Sequence, residues 1–175
     1  MNSLPTKQRY FLLKFSNTIN FSSLPLFRGA INHFMKNSHH ILFHNHAGDT
    51  FRYAYPLIQY KILNKKASIV CVNEGVEAIG LLLNKGTFSC SIGKEETLME
   101  VDKVNAFQFV LQVWDSLFAY KLSNWLPFNQ ENYTKYIALE SIAEKSTFLE
   151  KILIGNILSM GKGLGVNFEK EVICK

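Results

Sequence analysis

The chain has 175 residues and a net charge of +5, from 19 Lys and Arg against 14 Asp and Glu. With 47% hydrophobic and 13% aromatic residues there is ample apolar surface to bury, which excludes a disordered chain. No apolar run approaches the roughly 18 residues of a membrane span, and residues 1–14 lack the apolar core and small-residue cleavage site of a signal peptide, so a cytoplasmic protein with no membrane partner is expected.

Residues 9–20 read as a strand, because Phe11, Leu13 and Phe15 alternate with Leu12, Lys14 and Ser16. Ser23 followed by Leu24-Pro25 predicts a helix to about Asn37, with Phe27, Ile31 and Phe34 as its apolar stripe. Arg28, Asn32 and Lys36 recur every four residues and give that helix a polar, basic face. A loop over 38–50 follows. Residues 51–63 then predict one long strand, a polar turn at Asn64-Lys65-Lys66, and an apolar strand over 67–72. Asn73 predicts a helix cap, the helix running to about Leu83, and residues 87–92 a short strand. The order is the β-α-β-β-α-β of a ferredoxin-like unit.

The second half is less periodic. Strands are expected over 97–113 and 116–123. Asn129 caps a short helix ending near Tyr136, a long helix spans 140–160, and a last strand covers 166–174. The expected fold is α+β: a ferredoxin-like, RRM-related unit over residues 1–93, then a second, degenerate ferredoxin-like half over 94–175.

Charge is segregated along the chain. Residues 1–70 hold nine basic residues and one acid, a net +8; the remainder holds ten basic and thirteen acidic residues, a net −3. A basic half is the electrostatic footprint of an anionic partner, with an ordinary solvated surface as the alternative. Cys71, Cys90 and Cys174 are odd in number and lack zinc-ligand spacing, so they read as buried free thiols.

All five histidines fall between His33 and His46, four of them in the loop 38–50. Histidine moves protons near neutral pH. In a positively charged cleft it could take the proton of a ribose 2′-hydroxyl or give one to a leaving 5′-oxygen. A zinc site built on His44-x-His46 and a merely polar loop are the competing readings, the former short of nearby ligands. Phe51, Tyr53 and Tyr55, with Gln59 and Lys61, form either a base-stacking platform or part of the core. Gly161, Gly163 and Gly165 around Lys162 either let backbone amides approach a phosphate or end a helix. A helix precedes this cluster, so it is neither a Walker loop nor a dinucleotide fingerprint.

Several ordered blocks carry a family resemblance. They are Leu26-Phe27-Arg28-Gly29-Ala30-Ile31, Leu42-Phe43-His44-Asn45-His46, the run from Phe51 to Lys61, Val72-Asn73-Glu74-Gly75-Val76, Asn124-Trp125-Leu126-Pro127-Phe128-Asn129, Glu131-Asn132-Tyr133 and Ile154-Gly155-Asn156-Ile157-Leu158-Ser159. They resemble the Cas repeat endoribonuclease family of the RAMP superfamily, whose members cut CRISPR repeat transcripts into guide RNAs. The resemblance implies metal-independent cleavage by 2′-hydroxyl attack, leaving a 5′-hydroxyl and a 2′,3′-cyclic phosphate, with no cofactor. It places the acid–base role on His44, with His46 as its neighbour, offers Tyr53 and Lys61 for a nearby tyrosine or lysine, and matches the family's glycine-rich segment to Gly161, Lys162 and Gly163. The charge of the basic half, for its part, makes Arg28, Lys36, Lys61 and Arg52 the candidate phosphate contacts. The implied partners are CRISPR repeat RNA and other subunits of a CRISPR complex, with the chain a monomer or homodimer. The chain is short for this family and its glycine segment is brief. The alternative is therefore a non-catalytic RNA-binding subunit of a CRISPR complex with the same fold.

Overall fold

The computed structural model describes residues 6–35, 42–43, 46–47, 50–51, 54–86, 88–93, 95–114, 116–123, 125–168 and 171–174. Lys7–Leu111 forms one compact unit and Gln112–Lys175 belongs to a second. The first unit extends past the expected division at residue 93.

The first unit is built on a four-stranded sheet. Strand β1 (Thr6–Thr18) is followed by helix α1 (Leu24–Phe34), and strands β2 (His46–Ala47) and β3 (Thr50–Phe51) form a small ribbon of their own. Strands β4 (Ile58–Leu63) and β5 (Lys66–Val72) make a hairpin, and helix α2 (Glu74–Leu83) follows. Asn64 and Lys65 both have positive φ, 53° and 63°. That two-residue turn has the hand that matches the twist of the flanking strands. Strands β6 (Phe88–Ile92) and β7 (Glu95–Met99) form a separate hairpin, and β8 (Val101–Leu111) returns to the sheet. The sheet order is β4-β5-β1-β8.

That order corrects the expected role of residues 87–92. The fourth place in the sheet, beside β1, belongs to β8. The strand expected over 97–113 is divided at Glu100 by hydrogen bonds from the end of β1. Asn17 Nδ2 donates to the Leu98 carbonyl, the Glu100 amide donates to Asn17 Oδ1, and the Ser16 amide donates to the Glu100 carbonyl. One polar side chain thus satisfies the backbone where the chain leaves one hairpin and joins the main sheet.

The continuous strand expected over 51–63 is also divided. Residues 54–57 are not strand, and β4 begins after Pro56, which has no N–H for a ladder. The expected aromatic face is therefore not one strand face: Phe51 is in β3, Tyr55 precedes β4, and Tyr53 lies outside the described residues.

The core lies between the sheet and the two helices. Leu13 on β1 is paired with Ile69 on β5, and both are fully buried; their neighbours Leu12 and Val70 are only half-buried on the opposite face. Alternation thus sends one face of β1 inward, as expected. Helix α1 buries Phe27, Ala30 and Ile31, and α2 buries Gly75, Ala78, Ile79 and Leu82. The Phe27 ring meets Phe15 and Tyr60 edge-on, at 6.0 and 5.7 Å. Full burial of a side chain such as Phe27 or Leu13 contributes about 1.5–3 kcal/mol. Cys71 and Cys90 are buried free thiols, and burial pushes the Cys71 thiol up to about 12.

Asn73 starts α2 but does not cap it with its side chain. It turns back to β1 instead: the Arg9 amide donates to Asn73 Oδ1 at 3.0 Å and Asn73 Nδ2 donates to Gln8 Oε1 at 2.6 Å. These bonds hold Asn73 at a φ of 51°, a conformation that costs a non-glycine residue energy. Two residues later, a Cβ on Gly75 would lie 2.3 Å from the Leu57 carbonyl oxygen, which itself accepts from the Val72 amide. Gly75→Ala is expected to cost about 1–3 kcal/mol in urea denaturation, because backbone must move to admit the methyl group. Gly80→Ala, in the same helix with nothing within 4 Å, is the control and should not destabilise. Equal midpoints for the two variants would refute the close approach.

The second unit is mainly helical. Helix α3 (Gln130–Ile137) is capped by Asn129, whose side chain accepts from the Asn132 amide, and helix α4 (Ile142–Gly163) opens with a Ser141–Glu144 capping box. Phe128 packs on Tyr133 and Tyr136, and Tyr136 on Phe148, which pins the preceding loop to both helices. The strands expected over 116–123 and 166–174 do not form among the described residues. The fold is α+β: a ferredoxin-like unit followed by a second unit in which two helices form among the described residues.

Candidate nucleic-acid interface

Helix α1 buries one face and leaves Arg28 and Asn32, four residues apart, on another. That face borders the edge strand β4. Between them lies a cleft of about 670 Å³ whose lining includes Arg28, Asn32, Phe43, Gln59, Tyr60 and Lys61. The structure thus brings Arg28 and Lys61 together at one cleft, 33 positions apart in sequence.

The cleft wall is fixed by Tyr60. Its hydroxyl donates to Asn32 Oδ1 at 2.8 Å, and its ring meets Phe27 edge-on. Burial raises the Tyr60 phenol well above its ordinary value, and the Arg28 charge offsets part of that rise. Tyr60 therefore stays protonated and is a donor, not a base. Gln59 Nε2 donates to Tyr55 Oη and to the Pro56 carbonyl, which orders the approach to β4.

Among the other described cations of the basic half, Lys7 and Lys65 meet no carboxylate among the described residues, whereas three are engaged. Arg9 is paired with Glu77, Lys14 with Asp102 at 3.2 Å, and Lys66 Nζ donates to the Ser16 carbonyl. These charges are committed within the fold. Arg28 and Lys61 meet no carboxylate among the described residues. They are the pair whose charge is left for an anionic ligand in this cleft.

Phe43 is 2% exposed and belongs to the core, with Leu42 packed against it. The residue after this anchor is His44, which lies outside the described residues, as do Lys36, Arg52 and Tyr53. His46 is in β2, its backbone opposite Phe51 of β3. Among the described residues no three His, Cys, Asp or Glu side chains converge as a metal site. No helix is long and apolar enough to cross a membrane, again among those residues.

Gly161, Lys162 and Gly163 belong to the second unit, in the last turn of α4. The Val166 amide donates to the Gly161 carbonyl at 2.8 Å and the Gly165 amide to the Lys162 carbonyl at 3.3 Å, with Gly165 at a φ of 70°. This is a Schellman cap. A Cβ on Gly161 would stand 2.3 Å from the Phe168 ring, so a larger residue there would have to displace that ring. Lys162 itself is exposed. Sequence reasoning missed the Tyr60–Asn32 bond, for which the only signal was the shared spacing of Asn32 and Arg28.

Residues 6–109 match the family described as the Cas6b N-terminal domain, and residues 112–175 the Cas6b C-terminal domain. An uncharacterized protein of Methanocaldococcus jannaschii, MJ0978, is 41% identical over 61 residues, which is 34% of this chain and 41% of that relative. The matched segment is thus well under half of the relative's length. A crystal structure of Cas6b superposes with a TM-score of 0.72 at 24% identity, over 94% of this chain and 76% of that one. A second, titled as the CRISPR RNA processing endoribonuclease Cas6b, gives 0.57 at 20%, over 94% and 73%. At these identities the two structures speak for the fold.

Proposed function

The chain belongs to the Cas6b family, and on that premise we propose that it binds CRISPR repeat RNA and cuts it as an endoribonuclease. The observation that carries the proposal is the cleft between α1 and β4, where Arg28 and Lys61 meet no carboxylate. Two such cations beside the protonated Tyr60 and the amides of Asn32 and Gln59 suit a phosphodiester backbone. Lys36, Arg52 and Tyr53 are further candidate contacts from the basic half, and the exposed Lys162 is one in the second unit.

The substrate supplies its own nucleophile. The ribose 2′-hydroxyl attacks the adjacent phosphorus, its proton goes to a base, and the 5′-oxygen leaves with a proton from an acid. The products are a 2′,3′-cyclic phosphate and a 5′-hydroxyl, and no metal-activated water is needed. His44, next to the buried Phe43 anchor, takes the acid–base role, with His46 beside it. Cationic groups at the phosphate stabilise the charge that builds up there.

Cleavage of a CRISPR repeat transcript by the purified chain tests this. Discrete fragments are the expected result. A transcript that is bound tightly and stays intact would leave the non-catalytic RNA-binding alternative.

A further inference from the structure

Helix α1 has a second cleft on its other flank. It measures about 440 Å³ and lies between α1 and the β6–β7 hairpin. Its polar lining is His33, Ser89, Ser91 and Glu96, and its apolar lining includes Leu26 and Phe34. The hairpin is set close to the helix at its tip, where a Cβ on Gly93 would stand 3.5 Å from Leu26 Cδ1.

The chemistry of this cleft is the opposite of its neighbour's. Glu96 is the only fixed charge among the described residues that line it. Lys85, the nearby cation on α1's C-terminal side, is tied to the Phe34 carbonyl at 2.8 Å and lies over the Phe34 ring. A carboxylate without a cation repels phosphate and accepts hydrogen bonds. Ser89 Oγ donates to Glu96 Oε1 at 3.1 Å, which orients the carboxylate.

The two clefts adjoin. Pro25 and Gly29 line both. A Cβ on Gly29 would meet nothing within 4 Å, so the crest between the clefts is open. A strand whose phosphate is held by Arg28 and Lys61 can pass over Gly29 and turn a base into the second cleft.

We infer that the cleft between α1 and the β6–β7 hairpin is a nucleobase site that selects guanine, resting on the reading of the α1–β4 cleft as a phosphate site. Guanine alone among the four bases presents two adjacent donors, N1–H and the N2 amino group, to a single carboxylate. Glu96 accepts both, and Ser91 and His33 are donors for the O6 and N7 acceptors of the same base. Pro25, Leu26 and Phe34 supply the apolar flank that an unstacked base requires.

The test is fluorescence anisotropy of the full chain with ten-nucleotide RNAs: oligo(U), and oligo(U) with one central guanosine, inosine, adenosine or cytidine. The chain is expected to bind the guanosine RNA about tenfold more tightly than the other four, inosine lacking only the N2 amino group. Glu96→Gln should bring all five to within about twofold of one another, since the bidentate acceptor is gone. Arg28→Ala should weaken all five together and keep the guanosine preference. Equal affinities in the unmodified chain, a preference for cytidine or adenosine, or a guanosine preference that survives Glu96→Gln would overturn the site. If Arg28→Ala left all five affinities unchanged, the phosphate reading of the α1–β4 cleft would fail by itself, while a guanosine preference lost in Glu96→Gln would still support the guanine site.

Discussion

His44→Ala is expected to slow single-turnover cleavage of repeat RNA by about 10²–10⁴-fold while leaving affinity nearly unchanged. A 2′-hydroxyl is a poor nucleophile at neutral pH, so its proton must leave as attack begins. The 5′-oxygen is a poor leaving group and gains from an acid. One histidine can serve one of these steps, and alignment and charge stabilisation supply the remainder. His44 comes first because it is the position that best matches the family's histidine, directly after Phe43, which is buried and lines the α1–β4 cleft. His46→Ala should have the smaller effect, and the double variant should fall short of the summed effects if the two share one task. Full activity in His44→Ala would move the role elsewhere in the loop.

Replacing Arg28 and Lys61 together should produce the largest loss of affinity. Each phosphate contact to single-stranded RNA contributes about 0.7 to the slope of log affinity against log salt, so removing both should flatten that slope by about 1.4. The sharp control is Arg9→Ala with Lys14→Ala. Those cations are already paired with Glu77 and Asp102 and so release fewer counterions on binding. An equal flattening in the control pair would mean that diffuse charge, and not the cleft, holds the RNA.

Much of the first unit was legible because its signals are local. The alternation in β1, the proline-led start of α1 and the turn residues between β4 and β5 each depend on neighbours along the chain. The break at Pro56 is also written locally, in a residue with no N–H for a ladder. The place of β8 in the sheet was not legible, because it depends on Asn17 bonding residues more than 80 positions away. Gly161 reads as a helix breaker, yet α4 runs on to Gly163; that glycine answers to Phe168, a tertiary neighbour. In the second unit only Gly161, Leu164 and Val166 are buried among the described residues, too few to impose a period on the sequence.

The site was legible to a similar degree. The four-residue spacing of Arg28 and Asn32 put both on one helix face, and both line the α1–β4 cleft. Nothing in the letters joined Lys61 to that face, because the junction is made by Tyr60 crossing to Asn32. The cleft around Glu96 was equally hidden, since it needs the β6–β7 hairpin to lie beside α1 instead of in the sheet.

The chemistry of the cut ends tests the central claim most directly. Repeat RNA is incubated with the chain in excess EDTA and the fragments are assayed for their termini. Cleavage at an undiminished rate is expected, with a 5′-hydroxyl that polynucleotide kinase can phosphorylate directly and a 2′,3′-cyclic phosphate on the upstream fragment. Cleavage lost in EDTA and restored by zinc, or fragments bearing a 5′-phosphate and a free 3′-hydroxyl, would contradict it.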